Sequence, residues 1–532
     1  MEENRNDEKL TEAQPPLPQY QPYSYTPPPR YVFPMGKKEL LFAVGMLLFS
    51  LLLCNGLLYG GANLLFTLGL LGLMGGTFAY LRSHGHKPTR YAAAVLALCA
   101  FLAAGFVVSA DGSLKTLMIF LLLVIPGMAL CQMAGQNRRK AGGAASLLDG
   151  PRALLALGIG RMAESGRGIR EACSGTGTIG KTGGAVILGL LLAVPVVAIL
   201  IPLLMSADAA FEGLLDLLPE FRWDEVLCTL ILGTAMGYEF YTRGAALQHL
   251  ARQETPSRTR KGLSPITVNT VLIAVGIVYI AYLVSQLAYF VGGFAGILPQ
   301  EYTLAEYARR GFFEMAWLCA INLAIIAGAM ALVTARGKAP LLTRLICLFL
   351  GVVTLFLVAT ASAKMFLYIG SYGLTRLRVL TEVFMVWLGL TTGAVCLWIF
   401  RPRIAYMKFA VLLGLAFCAA LMWADVDGTI ARYNVRAYQT GKLASVDVYY
   451  LRELNLGAIP YIEELTGDAD GVVAKKAEVI LTDKARHYAR EENGLRNRNL
   501  KKHQALKLLE KYRVPEMAEA VGDAQQEGDP YG

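Results

Sequence analysis

Charged side chains are scarce in this chain. Asp, Glu, Lys and Arg make up 17% of its 532 residues, whereas soluble domains carry about a quarter. That shortage argues against the several soluble domains that length alone would allow. Histidine is rarer still, and His84, His86, His249, His487 and His503 form no cluster with carboxylates at metal-ligand spacing. The nine cysteines give neither a zinc pattern nor a disulfide framework. Cys54, Cys99, Cys131, Cys228, Cys319, Cys347, Cys396 and Cys418 sit in or beside apolar runs, where they suit small fillers, and Cys173 lies in a basic loop. No cofactor and no enzymatic activity are expected from such a set.

What the chain does have is apolar runs of about twenty residues, the length that crosses roughly 30 Å of hydrocarbon as a helix. They predict an all-α integral membrane protein with about eleven transmembrane helices, followed by a soluble helical domain. The expected spans are 39–60, 62–81, 91–110, 115–134, 184–205, 224–242, 266–294, 312–334, 342–363, 379–400 and 405–424. Each must be helical, because lipid offers no hydrogen bonds to an open backbone. The first run is followed at once by a second, so it reads as a transmembrane helix rather than a cleaved leader.

The formal net charge of +10 has a home in the short loops between runs. Arg82, Lys87 and Arg90, then Arg138 to Lys140 with Arg152, Arg161, Arg167, Arg170 and Lys181, then Arg243 to Lys261, Arg336 and Lys338, and finally Arg401 and Arg403 occupy alternate connections. The intervening loops of the first half are bare or acidic: 60–62, Asp111, and Asp208 to Glu220. This is the positive-inside pattern. It predicts a cell-membrane protein with a cytoplasmic N-terminus and an extracytoplasmic tail, and it removes the need for a nucleic-acid partner. The expected partners are the bilayer and an envelope protein reached through residues 425–532.

Three segments lie outside the spans. Residues 1–36 are rich in proline and tyrosine and cannot bury a core, so they suit a disordered cytoplasmic leader or a docking tail. Within the 37–424 membrane domain, the basic cytoplasmic loop 135–183 holds Leu147, Leu148, Leu154, Leu155, Leu157, Ile159 and Met162 against arginines. That pattern predicts an amphipathic helix on the inner leaflet. Residues 425–532 are charged and carry helical apolar stripes, such as Tyr450, Leu451 and Leu454, then Ile459, Ile462 and Leu465.

Several motifs tempt. Gly175 to Thr182 matches a phosphate loop letter for letter, but polar residues precede it where a buried strand is needed. It reads as a flexible basic linker. Asp425-Val-Asp427-Gly428-Thr429 has the form of a phosphatase nucleophile loop, yet the chain after it is short and helical. Gly72 and Gly76 form a small-xxx-small pair that suits close helix packing.

The outer ends of the eighth to tenth spans break the charge trend. Glu306, Arg309, Arg310 and Glu314 lead into one span, and Lys364, Arg376, Arg378 and Glu382 bracket the next link. Ionisable groups there need partners or a cavity. Two readings stay open: mutual ion pairs that lock helix ends, or a polar pocket for an anionic ligand or for the tail. The candidate ligand-binding set is Arg309, Arg310, Glu314, Lys364, Arg378 and Glu382.

The same stretches carry a family resemblance. Glu306-Tyr-Ala-Arg309-Arg310-Gly-Phe-Phe-Glu314, Lys364-Met-Phe-Leu-Tyr368 and Tyr372-Gly-Leu-Thr-Arg376-Leu-Arg378-Val379 resemble signatures of a bacterial membrane family, domain of unknown function 4173, whose sister group is numbered 4153. Ile430-Ala-Arg-Tyr-Asn434, Asp447, Tyr450 and Leu451 agree with it. The resemblance implies many membrane helices and an extracytoplasmic tail, and no reaction. The expected role is non-enzymatic, in envelope sensing or scaffolding. The alternative is a secondary transporter of a small or anionic solute.

Overall fold

The computed structural model describes residues 32–137, 144–173, 223–250, 262–294, 312–334, 338–489 and 500–512, with isolated positions between 189 and 204. Its described elements are helices: α1 (Lys37–Leu58), α2 (Leu64–Ser83), α3 (Arg90–Ala104), α4 (Gly112–Ala134), α5 (Met162–Cys173), α6 (Trp223–His249), α7 (Pro265–Phe294), α8 (Phe312–Thr334), α9 (Leu341–Tyr372), α10 (Arg376–Phe400) and α11 (Tyr406–Trp423). The tail adds α12 (Val426–Gln439), α13 (Val448–Glu453), α14 (Ile459–Glu464), α15 (Gly471–Ala489) and α16 (Leu500–Leu509), with short helical turns between.

Among the described residues, nine helices are long and apolar enough to cross a membrane: Lys37–Leu58, Leu64–Ser83, Arg90–Val107, Gly112–Ala134, Pro265–Ser285, Met315–Thr334, Leu341–Tyr372, Arg376–Phe400 and Tyr406–Trp423. These are the helices of a multi-pass membrane protein. All nine overlap expected spans. The expected 184–205 span lies almost wholly outside the described residues. The expected 224–242 span is a helix, α6, but it falls outside the nine because Glu239, Thr242 and Arg243 make its second half polar.

Close packing begins with the α1–α2 hairpin. A Cβ on Gly69 would overlap the Leu53 backbone, one on Gly72 would meet the Phe49 ring, and one on Gly76 would lie 2.5 Å from the Met46 methyl. Without a hydrophobic drive between helices in lipid, such close approach supplies the attraction. Helix α6 runs antiparallel to α1. Gly233 faces Leu51, Gly237 faces Ser50 and Leu47, and Gly244 faces Phe42, while the Ser50 hydroxyl donates to the Gly233 carbonyl at 2.7 Å.

Two apolar cores result. One joins α1–α4, α6 and α11; the other joins α7–α10. The second is threaded by polar pairs that satisfy each other. Tyr279 Oη donates to Asn322 Oδ1 at 2.7 Å, Asn322 Nδ2 donates to Thr354 Oγ1 at 3.0 Å, and Thr343 donates to Asn269 at 2.7 Å. Trp423 ties α11 to α3 by donating to the Phe101 carbonyl at 3.0 Å.

The basic loop differs from expectation. Between Ala144 and Arg161 it folds into short turns with a π-helical stretch at Ala153–Gly158, rather than one helix on the leaflet. Gly150, Pro151, Gly158 and Gly160 disfavour a continuous helix, and the glycines permit contact: Gly150 abuts the Val124 backbone, and Gly158 abuts Glu239. Ala153 and Leu157 are buried in the first core, which leaves Leu148, Leu155 and Ile159 exposed. The leader up to residue 31, the 175–182 motif and the acidic stretch 208–220 lie outside the described residues.

The tail has its own core, built from Ile430, Val435, Leu451, Ile459, Ile462, Ala477 and Leu481, with Leu374 and Val379 of the α9–α10 link packed against it.

Candidate functional site

The α9–α10 turn is where the membrane helices meet the tail. Helix α9 ends at Gly373, which adopts φ +75° and ψ −176°, a region nearly closed to residues with a Cβ. Thr375 caps α10 by accepting from the Arg378 amide at 3.4 Å. The Arg378 guanidinium donates to the Tyr372 carbonyl at 3.0 Å and to the Gly373 carbonyl, and it stands 4.1 Å from the Tyr368 ring centroid. Its charge answers the carbonyls at a helix C-terminus, where cations are favoured.

Two residues earlier, Arg376 reaches the other way. Nε and Nη2 donate to the two carboxylate oxygens of Asp427 at 2.6 and 2.5 Å. This fork is the strong, geometrically specific form of an ion pair. Asp427 is 3% exposed and also accepts from the Asn455 amide at 2.8 Å. The Arg376 amide donates to Tyr450 Oη at 2.7 Å. Asp111, which caps α4 by accepting from Ser113 and Leu114, places an oxygen 3.6 Å from Arg376 Nε. Asn434 closes the turn from the tail side: its oxygen accepts from the Leu374 amide at 2.7 Å, and its amide donates to the Leu374 carbonyl at 2.8 Å. A Cβ on Gly373 would sit 2.5 Å from that oxygen, so only glycine fits here.

Together these contacts form a latch from α10 to α12, with α4 and the turn before α14 as its walls. The space left between Asp111, Leu421, Asp425 and Asp427 is about 20 Å3, enough for roughly one water molecule. Nearby, Lys484 donates to the Leu454 carbonyl at 2.8 Å, and burial pushes its amine down to about 8. The cost of desolvating the charged form is the cause.

The sequence set divides unevenly. Arg309 and Arg310 lie outside the described residues, and only the backbone of Glu314 is described, in the first turn of α8. Lys364 is half-buried on α9. Glu382 lies on α10, and its Oε1 is buried without a hydrogen-bond partner. Arg378 closes the turn. The two residues that carry the latch, Arg376 and Asp427, were not in the set. In the sequence Arg376 is a flanking charge of the link, and Asp427 stands in the phosphatase-like motif. The structure uses Asp427 in an ion pair and Asp425 as the α12 cap, accepting from the Gly428 amide at 3.0 Å. Among the described residues no group of three His, Cys, Asp or Glu is placed to hold a metal.

A family model described as a domain of unknown function, DUF4153, matches residues 91–465. The chain belongs to the DUF4153 family. The match is to the group expected as the sister, not to 4173. It runs from the first residues of α3 to the end of α14, so both halves of the DUF4153 latch fall inside it. No curated protein and no solved structure matches the chain.

Proposed function

We propose that this DUF4153 protein is a non-enzymatic anchor in the cell membrane that presents its helical tail outside the cytoplasm for sensing or scaffolding. The observation that carries the reading is the latch. Its buried fork between Arg376 and Asp427 holds a separately cored tail on the membrane helices, and the contact leaves no room for a substrate. The sidedness rests on charge. The helix ends joined by Arg82, Lys87 and Arg90 are opposite those joined by Asp111, and the tail leaves from the Asp111 end. A count of eleven crossings is supported by α6, whose antiparallel path along α1 follows a spanning helix from Phe42 to Leu51.

Photocrosslinking in living cells tests the role. A photoreactive residue at Tyr433, which is exposed on α12, is expected to give discrete adducts with an envelope protein. Absence of adducts there and at other exposed tail positions, together with solute flux in proteoliposomes that is lost on Glu382→Gln, would replace this reading with transport. The unpartnered Glu382 oxygen is the feature that reading would use.

A further inference from the structure

Most large apolar side chains of the tail are buried, but Tyr449, Val472 and Val479 are 67%, 62% and 53% exposed. All three line one groove of about 430 Å3 between α13 and α15. Arg452, Lys475 and Lys476 line it too, and Asp483 is its one acidic residue. Asp483 is paired with Arg452 at 3.2 Å, and the Lys476 ammonium stands 5.1 Å from the Tyr449 ring centroid. The two lysines therefore make the groove electropositive. A concave site receives a partner's apolar side chains, whereas binding to a leaflet calls for a protruding apolar face.

We propose that this groove is the docking site of an acidic amphipathic segment, and that the occupant in this chain is its own residues 514–523. The sequence there is Val514-Pro-Glu-Met-Ala-Glu-Ala-Val-Gly-Asp523, and it lies outside the described residues. Val514, Met517, Ala518 and Val521 fall at i, i+3, i+4 and i+7, the anchor spacing for an apolar helix face laid in a groove. Glu516, Glu519 and Asp523 accompany them, and no Lys or Arg follows Arg513. The charge is complementary to Lys475 and Lys476. The turn Glu510–Tyr512, from which the segment leaves, packs on α15 itself. As a helix the ten residues are roughly 15 Å long, close to the roughly 18 Å of α15 between Gly471 and Asp483 that lines the groove. Tethering supplies an effective concentration in the millimolar range, an advantage over a free peptide of the same chemistry. The inference goes beyond the envelope role and does not depend on sidedness.

Thiol labelling of the purified full-length protein in detergent tests it. Val472→Cys is read against the background of the parent cysteines, alone and combined with Glu516→Lys, Glu519→Lys and Asp523→Lys. The cysteine is expected to react about tenfold faster in the charge-reversed chain, and a synthetic peptide of residues 513–529 is expected to restore protection there at low salt. Equal rates in the two backgrounds overturn the proposal. So does protection in native membranes that disappears from both chains on purification, which assigns the groove to another protein. Protection of the charge-reversed chain by anionic phosphatidylglycerol vesicles, with none from the peptide, overturns it in favour of a lipid surface.

Discussion

Arg376→Ala makes the tail susceptible to protease by about a hundredfold while the membrane helices stay folded. The reason is the partner left behind. Asp427 is almost fully buried, and without the guanidinium it keeps the Asn455 amide as a donor. Removing one member of a buried pair costs roughly 3–5 kcal/mol. The lower end of that range, about 3 kcal/mol, suits this pair because the Arg376 side chain is 27% exposed, and each 1.4 kcal/mol is a factor of ten. The Asn434 clamp on Leu374 remains, so the tail loosens without dissociating altogether. The double variant Arg376→Met with Asp427→Leu recovers most of the loss, since an apolar replacement of a buried ion pair is often neutral. Limited proteolysis with readout of residues 426–512 checks both statements. An Arg376→Ala cleavage rate equal to that of the parent would show that the latch is decorative.

The second large effect is at the α1–α2 contact. Gly69→Ala lowers the thermal stability of the detergent-solubilised protein sharply, and Gly75→Ala, six residues along the same helix, leaves it unchanged. The Cβ at 69 collides with backbone atoms of Leu53, which no rotamer change relieves, whereas nothing lies within 4 Å of the Cβ at 75. Overpacking costs typically 1–3 kcal/mol, and a backbone collision belongs at the upper end, about 3 kcal/mol. Paired melting curves decide it. If the two alanines behave alike, the hairpin is not held by close approach.

The spanning helices were legible because twenty apolar residues leave the chain no other structure in lipid. Helix α6 was harder to classify. Its polar second half, with Glu239 and Arg243 paired at 2.5 Å, is tolerated because the partners are four residues apart and neutralise each other, a pairing that hydropathy does not register. Gly72 and Gly76 are visible as a motif, but Gly69 lies against the Leu53 backbone, and only the path of α1 reveals it. The leucines of the basic loop have helical spacing, but its glycines obey contacts with Val124 and Glu239 that no local pattern announces.

The latch was half legible. Arg376, Asn434 and Tyr450 all stood in the sequence blocks that resemble the family, and the structure joins them at one turn. Asp427 was hidden by a motif with a better-known chemistry. Its partner lies 51 residues earlier in the chain, a separation that no periodicity spans.

The central claim is that the chain crosses the bilayer with its tail on the side opposite the α2–α3 loop. Labelling of single cysteines by a membrane-impermeant thiol reagent in intact cells tests it most directly, using Thr440→Cys after α12 and Lys87→Cys in that loop, both exposed. The account predicts that residue 440 is modified in intact cells and residue 87 only after the membrane is opened. Modification of both in intact cells, or of residue 87 alone in intact cells, would contradict it.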